Sequence, residues 1–259
     1  MSRSSIGTLF PIAAAILLAA IAWPVACLLL AIPPTQAARV FFQEAGPSLR
    51  VSLAASLGAT FVATALGVPA GYWLARAGRG FRSLAVFVLA LPLAFPPVAS
   101  GLMLLYAYGS ISPAGRWLSA HGFAVPDTLL GVAVAEFFVS GSLIALASTA
   151  AFASLDQLYE DAARTLGAGE WRIFWRVALP AAAGNVSAGI AFAWLRAIGE
   201  YGATSVLAYH PTSLPVALYV TLSASGVLPA LALCYGFVIL AALVLGMQWV
   251  LRRSVVPSR

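Results

Sequence analysis

SLDQLYEDAARTLGAGEWRIFWRVALP, residues 154–180, lies between two long apolar runs and holds Asp156, Glu160, Asp161 and Glu170, half of the chain's eight acidic residues. Ser154 followed three residues later by Gln157 reads as a capping box and predicts a helix that starts there. Leu155, Leu158, Tyr159, Ala162, Ala163 and Leu166 then share one helical face. Gly167 ends this helix, because glycine adopts a left-handed cap without steric cost. A second helix carries Trp171, Phe174, Trp175 and Ala178 on one face and Arg172 and Arg176 on another, and is expected to stop at Pro180. So small a segment cannot bury two apolar faces. It reads either as a hairpin lying on a membrane surface, anchored by tryptophan and arginine, or as a docking element for a partner.

Outward from this segment the chain is apolar on a scale that excludes a soluble protein. Of 259 residues, 62% belong to the apolar and aromatic set and 8% are charged, where a soluble domain has about 25% charged residues. Too few polar residues remain to cover a water-soluble core, and too much apolar surface seeks burial for the chain to be disordered. Six apolar runs, at about 9–32, 51–75, 83–106, 129–152, 184–207 and 228–251, each exceed the roughly 20 residues that span a bilayer as a helix. The first is too long for a signal-peptide core and no A-x-A cleavage site follows it, so it counts as a span. Nothing alternates at period two over ten-residue blocks, which excludes a β-barrel. The expectation is an all-α integral membrane protein with six transmembrane helices in one domain, residues 1–259, with 153–183 as the loop between the fourth and fifth. With about eight residues after the sixth run, no appended sensing domain is expected.

All 14 basic residues are arginine, which removes a Walker A lysine, a Schiff base and a lysine nucleophile. Ten of them (Arg3, Arg76, Arg79, Arg82, Arg164, Arg172, Arg176, Arg252, Arg253 and Arg259) fall on the side that holds both termini and the 153–183 loop. Three, Arg39, Arg50 and Arg116, fall on the other. The positive-inside rule then places both termini and the loop in the cytoplasm of a multi-pass protein of the inner cell membrane. Clusters of this kind report orientation and not a nucleic-acid surface, despite the net charge of +6. The segment 110–127 becomes an extracytoplasmic connector with a short helix around Trp117. Cys27 and Cys234 sit inside apolar runs as small packing residues. His121 and His210 lie outside the spans and read as surface residues, with no metal site expected. Pro24, Pro69, Pro92, Pro96 and Pro97 lie inside runs, and the Pro96–Pro97 pair in LPLAFPPVASG predicts the sharpest break. Gly67 and Gly71 form a small-xxx-small pair, which predicts a close helix contact.

EDAARTLGAGEWRIFWRVALP, residues 160–180, resembles the EAA loop of importer-type ABC transporter permeases. The likeness rests on Glu160, Ala162, Ala163, Gly167, Phe174, Leu179 and Pro180, with Asp161 inserted. RAIGEYGATSVLAYHPTSLPVALY (196–219) and LPLAFPPVASGLMLL (91–105) resemble permeases for tetrahedral oxyanions, molybdate and tungstate above all. The resemblance covers roughly residues 48–250 and implies the type I importer permease (MetI-like) fold. It implies a homodimer around a central pathway, set in membrane lipid. It further implies two copies of a cytoplasmic ABC ATPase that receive the loops, and an extracytoplasmic binding protein that delivers the anion. ATP and Mg belong to that ATPase. This chain carries no GxxxxGK[ST], binds no cofactor of its own on this reading, and has no catalytic residue. The coupling residues implied are Tyr159, Glu160, Asp161, Ala163, Arg164, Leu166, Gly167 and Phe174.

Three ionisable residues fall inside the runs: Glu136, Arg196 and Glu200. Charge in hydrocarbon is costly unless paired or hydrated, so each is a functional candidate. Arg196 and Glu200, four apart, can form an ion pair. That pair either orients the helix or offers positive potential to an oxyanion, with Glu200 holding the arginine. With Pro97 at the break and the hydroxyls of Ser100 and Thr204 as donors, these residues make up the expected pathway. Glu136 stands where related permeases more often carry a neutral amide, and the FVSGS after it departs from the family's proline-containing version. Sulfate, thiamine and ferric iron remain alternative cargoes. A secondary transporter would show an internal repeat, and the sequence shows none. An intramembrane hydrolase would need a serine or acid pair with a base inside the bilayer, but both histidines lie outside the spans and the Glu136–Glu200 pair has no supporting motif.

Overall fold

The structure, a computed structural model, describes residues 3–255; Met1, Ser2 and residues 256–259, with Arg259, lie outside the described residues. The chain runs through α1 (Arg3–Ala31), α2 (Pro34–Glu44), α3 (Gly46–Arg76), α4 (Arg79–Ala94), α5 (Pro97–Tyr108), α6 (Pro113–Ala120) and α7 (Leu129–Ala153). It continues through α8 (Leu158–Thr165), α9 (Glu170–Ile173), α10 (Leu179–Ile198), α11 (Gly202–Leu207), α12 (Leu214–Ser225) and α13 (Val227–Val255). Among the described residues, five helical stretches are long and apolar enough to cross a membrane: α1, α3, α7, the column from α9 through α10, and α13. Counted as one broken span, α4 and α5 bring the total to six.

The expected run at 83–106 is therefore two helices, bent by 108°. Pro96 has no N–H to continue α4 and forces Phe95 into an extended conformation (φ −77°, ψ 142°). Pro97 then starts α5, where its fixed φ suits a first helical residue. The run at 184–207 also differs. Its helix begins at Glu170, within the loop, because Pro180 does not stop it. Residues 174–178 widen into a π-turn in which the Leu179 N–H bonds to the Phe174 carbonyl, so the missing donor falls where the ladder has already shifted. At its other end the helix stops at Ile198, and residues 199–201 separate it from α11. The helix around Trp117 is α6, capped by the Ser112 hydroxyl on the Gly115 N–H at 2.8 Å.

Contacts divide the chain into two compact units, residues 1–46 with 218–239 and residues 47–217 with 240–259. In the first, Ile32, Ala37, Ala232 and Tyr235 pack together. The Tyr235 hydroxyl lies 2.5 Å from the Ile32 carbonyl oxygen and 3.1–3.2 Å from those of Leu29 and Leu28. It thereby serves carbonyls that the end of α1 leaves without an intrahelical donor.

In the second unit the helices approach through small side chains, as they must where lipid removes the hydrophobic drive between them. A β-carbon on Gly71 of α3 would lie 2.5 Å from the Ser148 Cβ and 2.8 Å from the Thr149 nitrogen of α7. Gly67 meets Ile144 and Ala145 in the same way, so the predicted small-xxx-small contact is present. Interhelical hydrogen bonds add to it. Trp194 Nε1 of α10 donates to Ser56 Oγ of α3 at 3.0 Å, and Gln248 Nε2 of α13 donates to the Ser187 carbonyl of α10 at 2.9 Å.

Candidate functional site

Charge gathers at two places, and the first is the element from α8 to α10. Its opening differs from the predicted capping box. Asp156 Oδ1 accepts the Leu158 N–H at 3.0 Å, while Ser154 Oγ turns back to the Ala151 carbonyl at 2.8 Å. Asp156 wins because its carboxylate, two residues before Leu158, reaches the first free donor of α8. The end of α8 is as expected. Gly167 has φ +80°; its N–H bonds to the Arg164 carbonyl at 2.9 Å and the Ala168 N–H to the Ala163 carbonyl at 3.0 Å, a Schellman arrangement.

Glu160 does not face outward. Its side chain is buried and lies in the fork of Arg76 at the end of α3, with Nε donating to Oε2 at 2.8 Å and Nη2 to Oε1. Tyr72 and Arg164 approach Oε2 at 3.5 and 3.4 Å. Arg164 in turn clamps α8 to α9, donating from Nε to Glu170 Oε1 at 2.7 Å, from Nη2 to Glu170 Oε2 at 3.1 Å and from Nη1 to Asp161 Oδ1 at 2.8 Å. The hydrogen bonds to Glu170, and then to Asp161, hold the Arg164 guanidinium above its ordinary pKa.

Phe174 is buried too, against Tyr72 and Phe152, with ring centroids 5.0 and 6.1 Å away. The single apolar face expected for the second helix is thus divided. Phe174 and Ala178 turn inward, while Trp171 (75% exposed) and Trp175 turn outward beside Leu158, Tyr159 and Leu166 (88%). Of the expected coupling residues, Tyr159, Asp161, Arg164, Leu166 and Gly167 are exposed, Ala163 is half-buried, and Glu160 and Phe174 are internal. In the sequence Arg76 is only a topology marker, and nothing marks Tyr72 or Glu170 as partners of this segment. No local pattern marks a pair 84 residues apart.

The second place is a cleft of about 490 Å³ where the broken spans meet, lined by Pro97, Val98, Leu195, Arg196, Glu200 and Gly202 with their neighbours. Arg196 Nη1 lies 2.5 Å from Glu200 Oε2; the arginine side chain is 40% exposed and the glutamate 1%. Glu200 Oε1 accepts the Ala203 N–H at 2.9 Å, so the carboxylate also caps α11. Thr204 is buried, and its hydroxyl is spent on the backbone, 2.6 Å from the Glu200 carbonyl and 3.0 Å from that of Tyr201. It is not free to donate to an anion, because a threonine one turn into a helix bonds back to the preceding turn. Ser100 Oγ is buried without a protein hydrogen-bond partner, as are both Glu136 carboxylate oxygens. Pro97 and Val98 stand in the first turn of α5. Pro96 and Pro97 have no N–H, so the N–H groups of Val98 and Ala99 are the ones left without intrahelical acceptors, and they favour negative charge.

A family model described as "Binding-protein-dependent transport system inner membrane component" matches residues 67–255, the stretch that contains both places. The chain belongs to this family. It is a multi-pass inner-membrane component of a transport system and not an enzyme. A probable molybdenum ABC transporter permease of Haloferax volcanii is 39% identical over 177 residues, 68% of this chain and 64% of that protein. A molybdate/tungstate transport system permease of Thermococcus kodakarensis is 31% identical over 169 residues, 65% of this chain and 63% of that one. A sulfate transport system permease of Synechocystis is 36% identical over 144 residues, 56% of this chain and 52% of that one. The alignments thus cover less than two thirds of each of these relatives. Among solved structures, the MetNI methionine ABC transporter in inward-facing form matches with a TM-score of 0.65 at 15% identity, over 83% of this chain and 97% of that one. The fold is that of the MetI-like importer permeases, as the 160–180 segment led one to expect.

Proposed function

We propose that this permease imports a tetrahedral oxyanion, with molybdate or tungstate as cargo, in an ATP-driven complex. The observation that carries the reading is Arg196, an arginine within the membrane region that opens into a cleft between the broken helices α5, α10 and α11. A guanidinium offers a fork of N–H donors suited to an oxyanion, and the first turn of α5 adds partial positive charge from the other wall. The relatives named for molybdenum and for molybdate/tungstate transport support the same cargo.

The α8–α10 element docks a cytoplasmic ABC ATPase through Leu158, Tyr159, Leu166, Trp171 and Trp175. Asp161, Ala163, Arg164 and Gly167 shape that surface, and Glu160 and Phe174 hold it in place from behind. Two ATPase copies carry ATP and Mg. A second copy of this chain faces Arg196 across the pathway, which removes the cost of an exposed arginine in the bilayer. An extracytoplasmic binding protein delivers the anion, and both termini lie in the cytoplasm.

A second cargo, sulfate, is favoured by the likeness to a sulfate permease. It has the same shape and charge, so the choice between the two rests mainly with the binding protein. The test is uptake into proteoliposomes holding permease, ATPase and binding protein, with molybdate, tungstate and sulfate in competition. Molybdate or tungstate should enter and should suppress sulfate entry. A binding protein that takes thiamine or ferric iron and ignores oxyanions would overturn the cargo.

A further inference from the structure

We infer that Glu200 is a built-in stand-in for the transported anion: its carboxylate occupies the Arg196 guanidinium between transport events and keeps the cleft a weak, quickly vacated site. The inference rests on the reading of Arg196 as the group that meets the anion. A carboxylate and a tetrahedral oxyanion present the same chemistry to a guanidinium, which is charge-assisted acceptance from planar N–H donors.

The geometry fixes which partner can give way. Glu200 is almost fully buried, and its Oε1 is tethered by the Ala203 N–H at 2.9 Å, so the carboxylate is held at the start of α11. Its Oε2 meets Arg196 Nη1 in an ion pair at 2.5 Å and accepts no hydrogen bond. Arg196 is the exposed member of the pair and the one on a long side chain, so its head can turn from the carboxylate to an anion in the cleft while Glu200 stays put. Glu200 contacts the anion only through this competition and is therefore a positioning residue. Glu136 is the other carboxylate within electrostatic reach of Glu200, and it does not line the cleft.

The consequence has a definite sign. An anion that approaches a paired arginine finds no net charge and must displace a fixed competitor in a region of low dielectric. Removing the competitor's charge while keeping its shape should make the cleft bind too well. Glu200→Gln does this, since the amide oxygen can still accept the Ala203 N–H and cap α11.

The experiment compares the parent permease–ATPase complex in nanodiscs with Glu200→Gln, Arg196→Gln and the double variant. Equilibrium dialysis against radiolabelled molybdate is run without the binding protein, and uptake is measured with it. Glu200→Gln should retain molybdate more tightly by roughly tenfold or more, the size of one charge-assisted hydrogen bond. Its maximal uptake rate should fall, and the double variant should lose the added retention. An assembled Glu200→Gln complex that binds no more tightly than the parent would overturn the inference, as would a double variant that retains molybdate like Glu200→Gln. If Arg196→Gln abolishes uptake and Glu200→Gln gains no retention, the stand-in alone fails. If Arg196→Gln takes up molybdate at the parent rate, the oxyanion reading of the cleft fails with it.

Discussion

The two glutamate–arginine pairs have the same buried acid and more exposed base, yet they differ in reach. Glu160 is met by Arg76 from α3, 84 residues away in the chain, and the pair ties one helix to another. Glu200 is met by Arg196 from the preceding turn, and that pair ties α10 to nothing beyond its own continuation. A long-range pair fixes where an element sits. A local pair leaves the packing alone and sets the potential that a passing ion meets. The surroundings agree with this division. Around Glu160 the polar groups are satisfied by one another and the apolar side chains Leu158, Leu166 and Trp171 point outward, a surface suited to a protein partner. Around Glu200 the polar groups are held by a helix start and the cleft itself stays open.

The sharpest way to break this comparison is to cut the long-range pair. Glu160→Ala leaves Arg76 mostly buried with no carboxylate, and removing one partner of such a pair costs about 3 kcal/mol. Thermal melting of the purified permease should show the loss, and the ATPase should no longer co-purify. The reversal Arg76→Glu with Glu160→Arg should restore part of both. Melting and co-purification at the parent level in Glu160→Ala would mean that the pair positions nothing.

A smaller effect is expected at Gly167. No atom lies within 4 Å of a β-carbon built there, so any penalty is confined to the backbone at φ +80°. Gly167→Ala should weaken ATPase binding by about 1 kcal/mol, and Gly167→Asn by less, because asparagine tolerates the left-handed region better. Equal loss from both in a titration of ATPase against immobilised permease would point to a direct contact instead. The smallest effect belongs to Arg164. Its side chain is 38% exposed, so Arg164→Gln should cost about 0.5 kcal/mol, a difference that shrinks further in high salt. A loss as large as that of Glu160→Ala would shift the clamp from α3 to α9.

Much of this arrangement is legible in the chain before it is folded, and the parts that are not share physical causes. The Pro96–Pro97 break, the Gly167 cap and the Gly67–Gly71 contact each follow from a residue whose backbone or size permits little else. The end of α10 at Ile198 is not legible, because residues 184–207 average as one apolar run despite Arg196 and Glu200, and hydropathy does not register a lost hydrogen-bond ladder. Pro180 misleads in the opposite direction, since the π-turn before it absorbs a missing donor that would otherwise stop a helix. The inward turn of Glu160 depends on Arg76, and no periodicity links residues so far apart. Thr204 is legible in part, since a threonine in a helical turn tends to bond back to the carbonyl four residues before it, here that of Glu200.

The division of labour between the two pairs is tested most directly by Arg196→Gln in the complete complex, with ATPase co-purification and molybdate uptake read from the same preparation. The ATPase should co-purify at the parent yield, because nothing at α8–α10's docking face touches Arg196, and uptake should fall by about tenfold or more, the loss of one charge-assisted contact to the anion. Uptake at the parent rate, or loss of the ATPase in step with uptake, would contradict the account.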